Sequence, residues 1–157
     1  MATITHFRDL QCWQKCREVR QRVRILVKRW PGEEKFRLTD QIIRSSRGPT
    51  SHIAEGYGRF YEKENIRFCR IARGSLYETQ DHLITANDDG FIDEDVLKEH
   101  FEHVETAIRI LNGYLRYLDT LSAPRSSSVS EPPATYDAQA SVVRSPPSPE
   151  APLIADL

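Results

Sequence analysis

Apolar residues recur at steps of three and four along most of the first 121 residues, which is the spacing of one buried face of an α-helix. Breaks in this pattern divide the segment into four stretches. We predict helices over about Phe7–Trp30, Phe36–Glu55 and Lys63–Asp88, and a fourth that begins after Asp93. Four such stretches predict an all-α fold, an up-and-down antiparallel four-helix bundle over residues 1–122.

Glycine and proline positions add detail to these helices. Pro49 lies inside the second stretch and predicts a kink or a break there. Gly74 lies inside the third stretch, where a glycine usually marks a helix end or a close approach of two backbones. Gly90 fits a C-terminal cap of the third helix, and Asp93 fits the N-cap of the fourth.

The fourth helix carries two apolar rows instead of one. The first row is an unbroken 4-3 series: Leu97, Phe101, Val104, Ile108, Leu111, Leu115 and Leu118. The second row lies about 100° further round the helix: His103, Ala107, Ile110, Tyr114, Tyr117 and Leu121. Either this helix is unusually enclosed by its own bundle, or its second row contacts another subunit. We favour the second interpretation and predict a homo-oligomer.

Residues 123–157 differ in composition from the rest of the chain. They hold seven of the nine prolines, seven serines and no glycine, without apolar periodicity. Such a segment buries too little apolar surface to offset its ordering entropy. The sequence therefore predicts a Pro/Ser-rich disordered tail after the bundle.

Charge is distributed unevenly, although the net charge is only −1. Residues 1–73 hold 17 lysines and arginines against 8 acidic residues, whereas residues 74–157 hold 5 against 15. The candidate nucleic-acid-binding residues are the cations of the first three helices: Lys15, Arg17, Arg20, Arg22, Arg24, Lys28, Arg29, Arg44, Arg47, Arg59, Arg67 and Arg70. Arginine predominates, which suits bidentate phosphate contacts. From the residues alone, a solvated face neutralised by the acidic half is the commoner explanation.

On the first helix these cations form two flanks. Lys15, Arg22 and Arg29 repeat every seven residues on one flank, while Arg17, Arg20, Arg24 and Lys28 lie on the other. Tyr57, Phe60 and Tyr61 stand beside Arg59 and are candidates for stacking on unpaired bases. The more common role of such aromatics is to close the end of a bundle at a glycine turn.

The sequence carries no arrangement that predicts an enzyme, a metal site or a cofactor. Cys12 and Cys16 lie on the apolar stripe and are expected to be buried thiols. His100 and His103 lie near glutamates, but they match no metal-binding motif. Three cysteines and no run of about 20 apolar residues predict a cytoplasmic protein without a membrane span.

Several motifs, in order, resemble one protein family. They are Phe7-Arg8-Asp9-Leu10 with Trp13-Gln14-Lys15, then Gln41-Ile42, Ile53-Ala54-Glu55-Gly56-Tyr57-Gly58-Arg59, Ile71-Ala72 and Gly74-Ser75-Leu76-Tyr77-Glu78. Over residues 6–121 the chain resembles the four-helix-bundle proteins encoded in intervening sequences of large-subunit ribosomal RNA genes. These are related to the accessory variability determinants of diversity-generating retroelements.

The resemblance implies a helical bundle, ring-like homo-oligomers that are pentamers in characterised relatives, and a basic surface that binds nucleic acid. For the retroelement relatives it also implies association with a reverse transcriptase. The chain departs from the family pattern at Ser45, Ser46 and His52, and its helix-2 proline, Pro49, lies one position early. These departures affect the second helix and leave the bundle intact.

Together, these observations predict a non-enzymatic oligomeric bundle that binds RNA or single-stranded nucleic acid through its first three helices. The alternative is a protein–protein scaffold whose basic face docks on an acidic partner, or on the fourth helix of a neighbouring subunit, without nucleic acid.

Overall fold

The structure, a computed structural model, describes residues 4–122 of the chain. It contains four α-helices: α1 (Gln11–Leu26), α2 (Leu38–Gly58), α3 (Glu62–Asp88) and α4 (Glu94–Ser122). Short 3-10 turns cover Phe7–Asp9, Val27–Arg29 and Gly32–Phe36. The predicted disordered tail, residues 123–157, lies outside the described residues.

The helices form an up-and-down four-helix bundle, which confirms the predicted fold class. Each helix packs against two neighbours, in the order α1, α2, α3, α4 and back to α1. The fully buried side chains come from all four helices, and include Cys16, Val23, Ile42, Ile53, Leu76, Leu83, Val104 and Leu111. In this arrangement the groove between α1 and α2 lies on the opposite side of the bundle from the groove between α3 and α4. Within residues 4–122, no helix is long and apolar enough to cross a membrane.

The first apolar row of α4 forms its side of the core. Val104, Ile108, Leu111, Leu115 and Leu118 are buried, and Leu97 and Phe101 are partly buried at the start of the helix. The predicted caps are also present. Gly90 has φ +74°, and the Asp93 carboxylate accepts a hydrogen bond from the Val96 N–H at 2.9 Å. These features were readable because a helix face and its caps depend on residues within about four positions.

Helix α2 begins two residues later and ends three residues later than the sequence predicts, and it does not break at Pro49. It continues for 21 residues to Gly58, with Pro49 buried inside it. Proline removes one backbone donor from the helix. Helix α2 packs against α1 and α3 on two sides, which favours its continuation through this position. Of the two predicted outcomes, the break is therefore wrong, and the kink stays a prediction.

Helix α1 is shorter than predicted and ends at Leu26. A 3-10 turn over Val27–Arg29 follows, and it brings the side chain of Trp30 back into the core, where only 7% of it is exposed. Trp30 contributes to the core as its periodicity indicates, but from outside the helix.

The close helix approach lies at Gly56 and not at Gly74. A Cβ atom added to Gly56 would meet Phe68 Cβ at 2.9 Å and Asn65 Cα at 3.2 Å, so α2 and α3 nearly touch there. Gly74 lies on the exposed side of α3, where an added Cβ would meet nothing within 4 Å. The interpretation of Gly74 as a contact glycine is therefore wrong.

Candidate nucleic-acid interface

The two basic flanks of α1 lie in different surroundings. On the first flank, Arg22 Nη1 lies 2.7 Å from Glu99 Oε1 of α4, and Lys15 Nζ lies 2.8 Å from Glu18 Oε2. Both pairs are exposed, so each contributes little to stability. Pairing with carboxylates makes this flank less available to a polyanion.

The second flank opens onto a groove of about 790 Å³ between α1 and α2. We call it the α1–α2 groove, and its principal lining residues are Trp13, Arg17, Arg20, Arg24, Ile25, Ile43, Arg47 and Thr50. Among residues 4–122, no carboxylate lines it and no salt bridge engages its four arginines. Four cations without a counter-ion around one groove favour an anionic ligand.

Thr50 fixes two of the groove side chains. Its hydroxyl accepts a hydrogen bond from Arg20 Nη1 at 3.1 Å and donates to the Arg47 carbonyl at 3.0 Å. Its own carbonyl accepts from Trp13 Nε1 at 3.1 Å. Thr50 is 4% exposed, so this anchor is rigid. One guanidinium group and one indole ring are therefore held in place before any ligand binds.

Sequence reasoning missed the roles of Trp13, Ile25 and Thr50. A signal for the first was present, because Trp13, Arg17, Arg20 and Arg24 follow one another at steps of four, three and four. This spacing places them on one face of α1. Nothing local indicated Thr50, because it reaches Trp13 and Arg20 across 37 and 30 positions of the chain.

The remaining predicted cations lie outside the groove. Three of them pair with carboxylates of their own helix: Arg44 with Asp40, Arg59 with Glu55 and Arg67 with Glu64. Lys28, Arg29 and Arg70 are exposed and do not line the α1–α2 groove. The structure thus brings together four of the twelve candidate residues: Arg17, Arg20, Arg24 and Arg47.

The aromatic residues near the α2–α3 turn do not act together. Tyr57 packs against the core, whereas Phe60 is 89% exposed and Tyr61 is 73% exposed. Closure of the bundle end is therefore the wrong explanation for Phe60 and Tyr61. Phe60 also has φ +59°, a left-handed conformation that is unfavourable for a residue with a Cβ atom.

The second row of α4, the predicted oligomer interface, contains both residues that are packed in the bundle and residues that are exposed. Ala107 is completely buried inside the bundle, and Ile110 and Tyr114 pack against the core. The Tyr114 hydroxyl accepts a hydrogen bond from Asn65 Nδ2 at 3.0 Å. His103 is partly buried, and Tyr117 and Leu121 are more than half exposed. Enclosure by the chain's own bundle therefore explains half of this row.

The cysteines are buried, as the apolar stripe predicts. Cys12, Cys16 and Cys69 are free thiols in the core, and burial raises the pKa of Cys12 and of Cys69 to about 12 and the pKa of Cys16 further. They stay protonated at neutral pH and are poor nucleophiles. No group of three or more His, Cys, Asp or Glu side chains that could hold a metal occurs in the part of the chain that the structure describes.

Comparison with known proteins identifies a matching family and a solved structure with a similar fold. A family model described as 23S rRNA-intervening sequence protein matches residues 8–113, from before α1 to within α4. A solved structure is described as a protein with unknown function from the S23 ribosomal protein family of Bacteroides thetaiotaomicron. It is 21% identical to this chain, covers 67% of this chain and 98% of its own, and gives a TM-score of 0.62. At that identity the likeness supports the fold. No curated protein matches.

Proposed function

Because the chain belongs to the 23S rRNA-intervening sequence protein family, we propose that it is a non-enzymatic bundle that binds RNA or single-stranded nucleic acid in the α1–α2 groove. The family description names a region of ribosomal RNA and no reaction. The proposal therefore rests on the groove itself, where four arginines face one another without a carboxylate.

The chemistry of these arginines suits phosphate groups. A guanidinium group offers two parallel N–H donors to two phosphate oxygens. Arg17, Arg20 and Arg24 follow one face of α1, over a length of about 10 Å at 1.5 Å per residue. Arg47 faces them from α2. This spacing allows neighbouring arginines to contact successive phosphates of one strand.

A salt titration tests the proposal. Each phosphate that a cation neutralises on a single strand contributes roughly −0.7 to the slope of log affinity against log salt, so four arginines predict a slope of about −3. The measurement is the anisotropy of a labelled single-stranded RNA across a salt series. A slope near zero, or no association at low salt, would contradict the proposal.

Protein–protein association is a second candidate, and the groove between α3 and α4 favours it. Near the start of α4 this groove is lined by Ile84, Leu97 and Phe101 together with the carboxylates of Glu94, Glu102 and Glu105 and the cation of Lys98. It lies opposite the α1–α2 groove and has the complementary charge. We propose that a second copy can pack its basic groove against this acidic one. The predicted pentamer would be one closed form of such head-to-tail contacts.

Sedimentation equilibrium tests this association. We expect the purified protein to self-associate and to dissociate in high salt, because the contact pairs opposite charges. Replacing both Glu102 and Glu105 by lysine should give monomers, and mixing that variant with an Arg17→Glu/Arg24→Glu variant should restore assembly. Assembly that is unaffected by both pairs of substitutions would locate the interface elsewhere. Association with a reverse transcriptase remains a proposal from the family resemblance, to be tested by co-purification.

A further inference from the structure

We infer that the α1–α2 groove holds an unpaired nucleobase, with the flanking phosphates on its arginines. This inference deepens the proposed function and rests on it. It concerns the apolar side chains of the groove lining, because the arginines by themselves would bind any polyanion.

Three apolar side chains contribute to the lining of the groove. Trp13, Ile25 and Ile43 line it together with the arginines of α1 and Arg47 of α2. Ile25 is 59% exposed, although it lies in a helix whose buried face is complete without it. Contacts with phosphate alone give no reason for a large aliphatic side chain at this place. Base stacking gives such a reason, since the faces of nucleobases stack on apolar and aromatic side chains and on guanidinium planes.

Two side chains of the groove are positioned in advance. Trp13 Nε1 and Arg20 Nη1 both donate to Thr50, at 3.1 Å each. The indole ring is therefore fixed beside a fixed guanidinium group. A site of this kind loses little conformational entropy when a flat ligand binds.

The shape of the groove discriminates between single and double strands. Its volume of about 790 Å³ lies within the range of roughly 300–1,000 Å³ that is usual for small-molecule sites, so it accommodates a nucleoside. In a duplex the bases are stacked inside, and the convex outer surface presents sugars and phosphates. A duplex would present phosphates to the arginines and leave the apolar side chains of the lining without a base to contact.

The experiment uses Trp13 as its own probe. The chain has two tryptophans, and Trp30→Phe leaves Trp13 as the single tryptophan, which can be excited selectively at wavelengths that the six tyrosines do not absorb. The substitution loses no hydrogen bond, because the Trp30 indole N–H has no partner among the described residues, and phenylalanine keeps an aromatic ring at this core position. The ligands are a short oligouridylate, an abasic strand of the same length and charge, and an RNA duplex of the same length, all at one salt concentration. We expect oligouridylate to quench the Trp13 fluorescence and to bind about tenfold more tightly than the abasic strand.

A matched pair of variants tests whether the base binds in the α1–α2 groove. Ile25→Ser removes the exposed apolar side chain without changing charge, and should bring the affinity for oligouridylate close to that for the abasic strand. Ile71→Ser, at a site that is 40% exposed on α3 and lines neither groove, should leave the preference unchanged. Equal binding of oligouridylate and the abasic strand, or a preference that survives Ile25→Ser, would overturn the inference while the proposed function stands. Failure of all three ligands to bind would overturn the proposed function itself.

Discussion

Replacing Gly56 by alanine is expected to lower the free energy of unfolding by about 2 kcal/mol. The new Cβ would lie 2.9 Å from Phe68 Cβ and 3.2 Å from Asn65 Cα, and the second of these atoms belongs to the backbone of α3. Neither atom is the mobile end of a flexible side chain, so the two helices must move apart. Overpacking of this kind typically costs about 1–3 kcal/mol.

The same substitution would disturb a polar contact between α3 and α4. The Gly56 Cβ would also lie 3.0 Å from Asn65 Oδ1, and Asn65 Nδ2 donates to the Tyr114 hydroxyl at 3.0 Å. Displacing Asn65 weakens that hydrogen bond in a largely buried position. The effect at one glycine is therefore expected to extend to the packing of the fourth helix.

Gly74→Ala is the matched control, because it makes the same chemical change in a helix of the same bundle. A Cβ at Gly74 meets nothing within 4 Å, so we expect a gain of about 0.5–1 kcal/mol from the better helix propensity of alanine. Urea unfolding of the wild type and both variants gives the comparison. Two variants that change stability by the same amount and in the same direction would show that α2 and α3 do not approach closely at Gly56.

Removing three arginines of the α1–α2 groove is expected to reduce nucleic-acid affinity about a hundredfold in 0.1 M salt. The variant is Arg17→Gln/Arg24→Gln/Arg47→Gln, which leaves Arg20 and its bond to Thr50 in place. Three lost phosphate contacts at about −0.7 each reduce the salt slope by about 2, which corresponds to about two decades of affinity between 0.1 M and 1 M salt. The loss should be the same for all sequences, since phosphates carry no sequence information.

A second triple variant controls for net charge. Arg22, Arg44 and Arg67 also belong to the predicted binding set, but each already lies beside a carboxylate: Glu99, Asp40 and Glu64 respectively. Changing these three to glutamine alters the net charge by the same amount, and we expect a loss of less than about fivefold because screening weakens their long-range effect. Equal losses in the two triple variants would mean that the overall charge, and not the groove, governs binding.

Much of this fold was readable from the sequence. The spacing of Val104, Ile108 and Leu111 indicates a buried row, and the structure buries it. Gly90 and Asp93 indicate the ends of two helices, and both lie at those ends. The missing break at Pro49 and the missing close approach at Gly74 share a cause. A proline or a glycine favours certain local backbone conformations. Whether the chain adopts them depends on how the helix packs against its neighbours.

The candidate site was only half readable. The sequence by itself determined that α1 has two basic flanks, because the position of a residue along a helix fixes the direction of its side chain around the helix axis. Only the tertiary structure decided which flank is free. Arg22 meets Glu99 across 77 positions of the chain, whereas Arg17, Arg20 and Arg24 face an α2 surface whose only charged contribution to the groove, within residues 4–122, is Arg47. Helix formation depends on contacts within about four residues, while the availability of a charge depends on which distant residues the packing brings beside it.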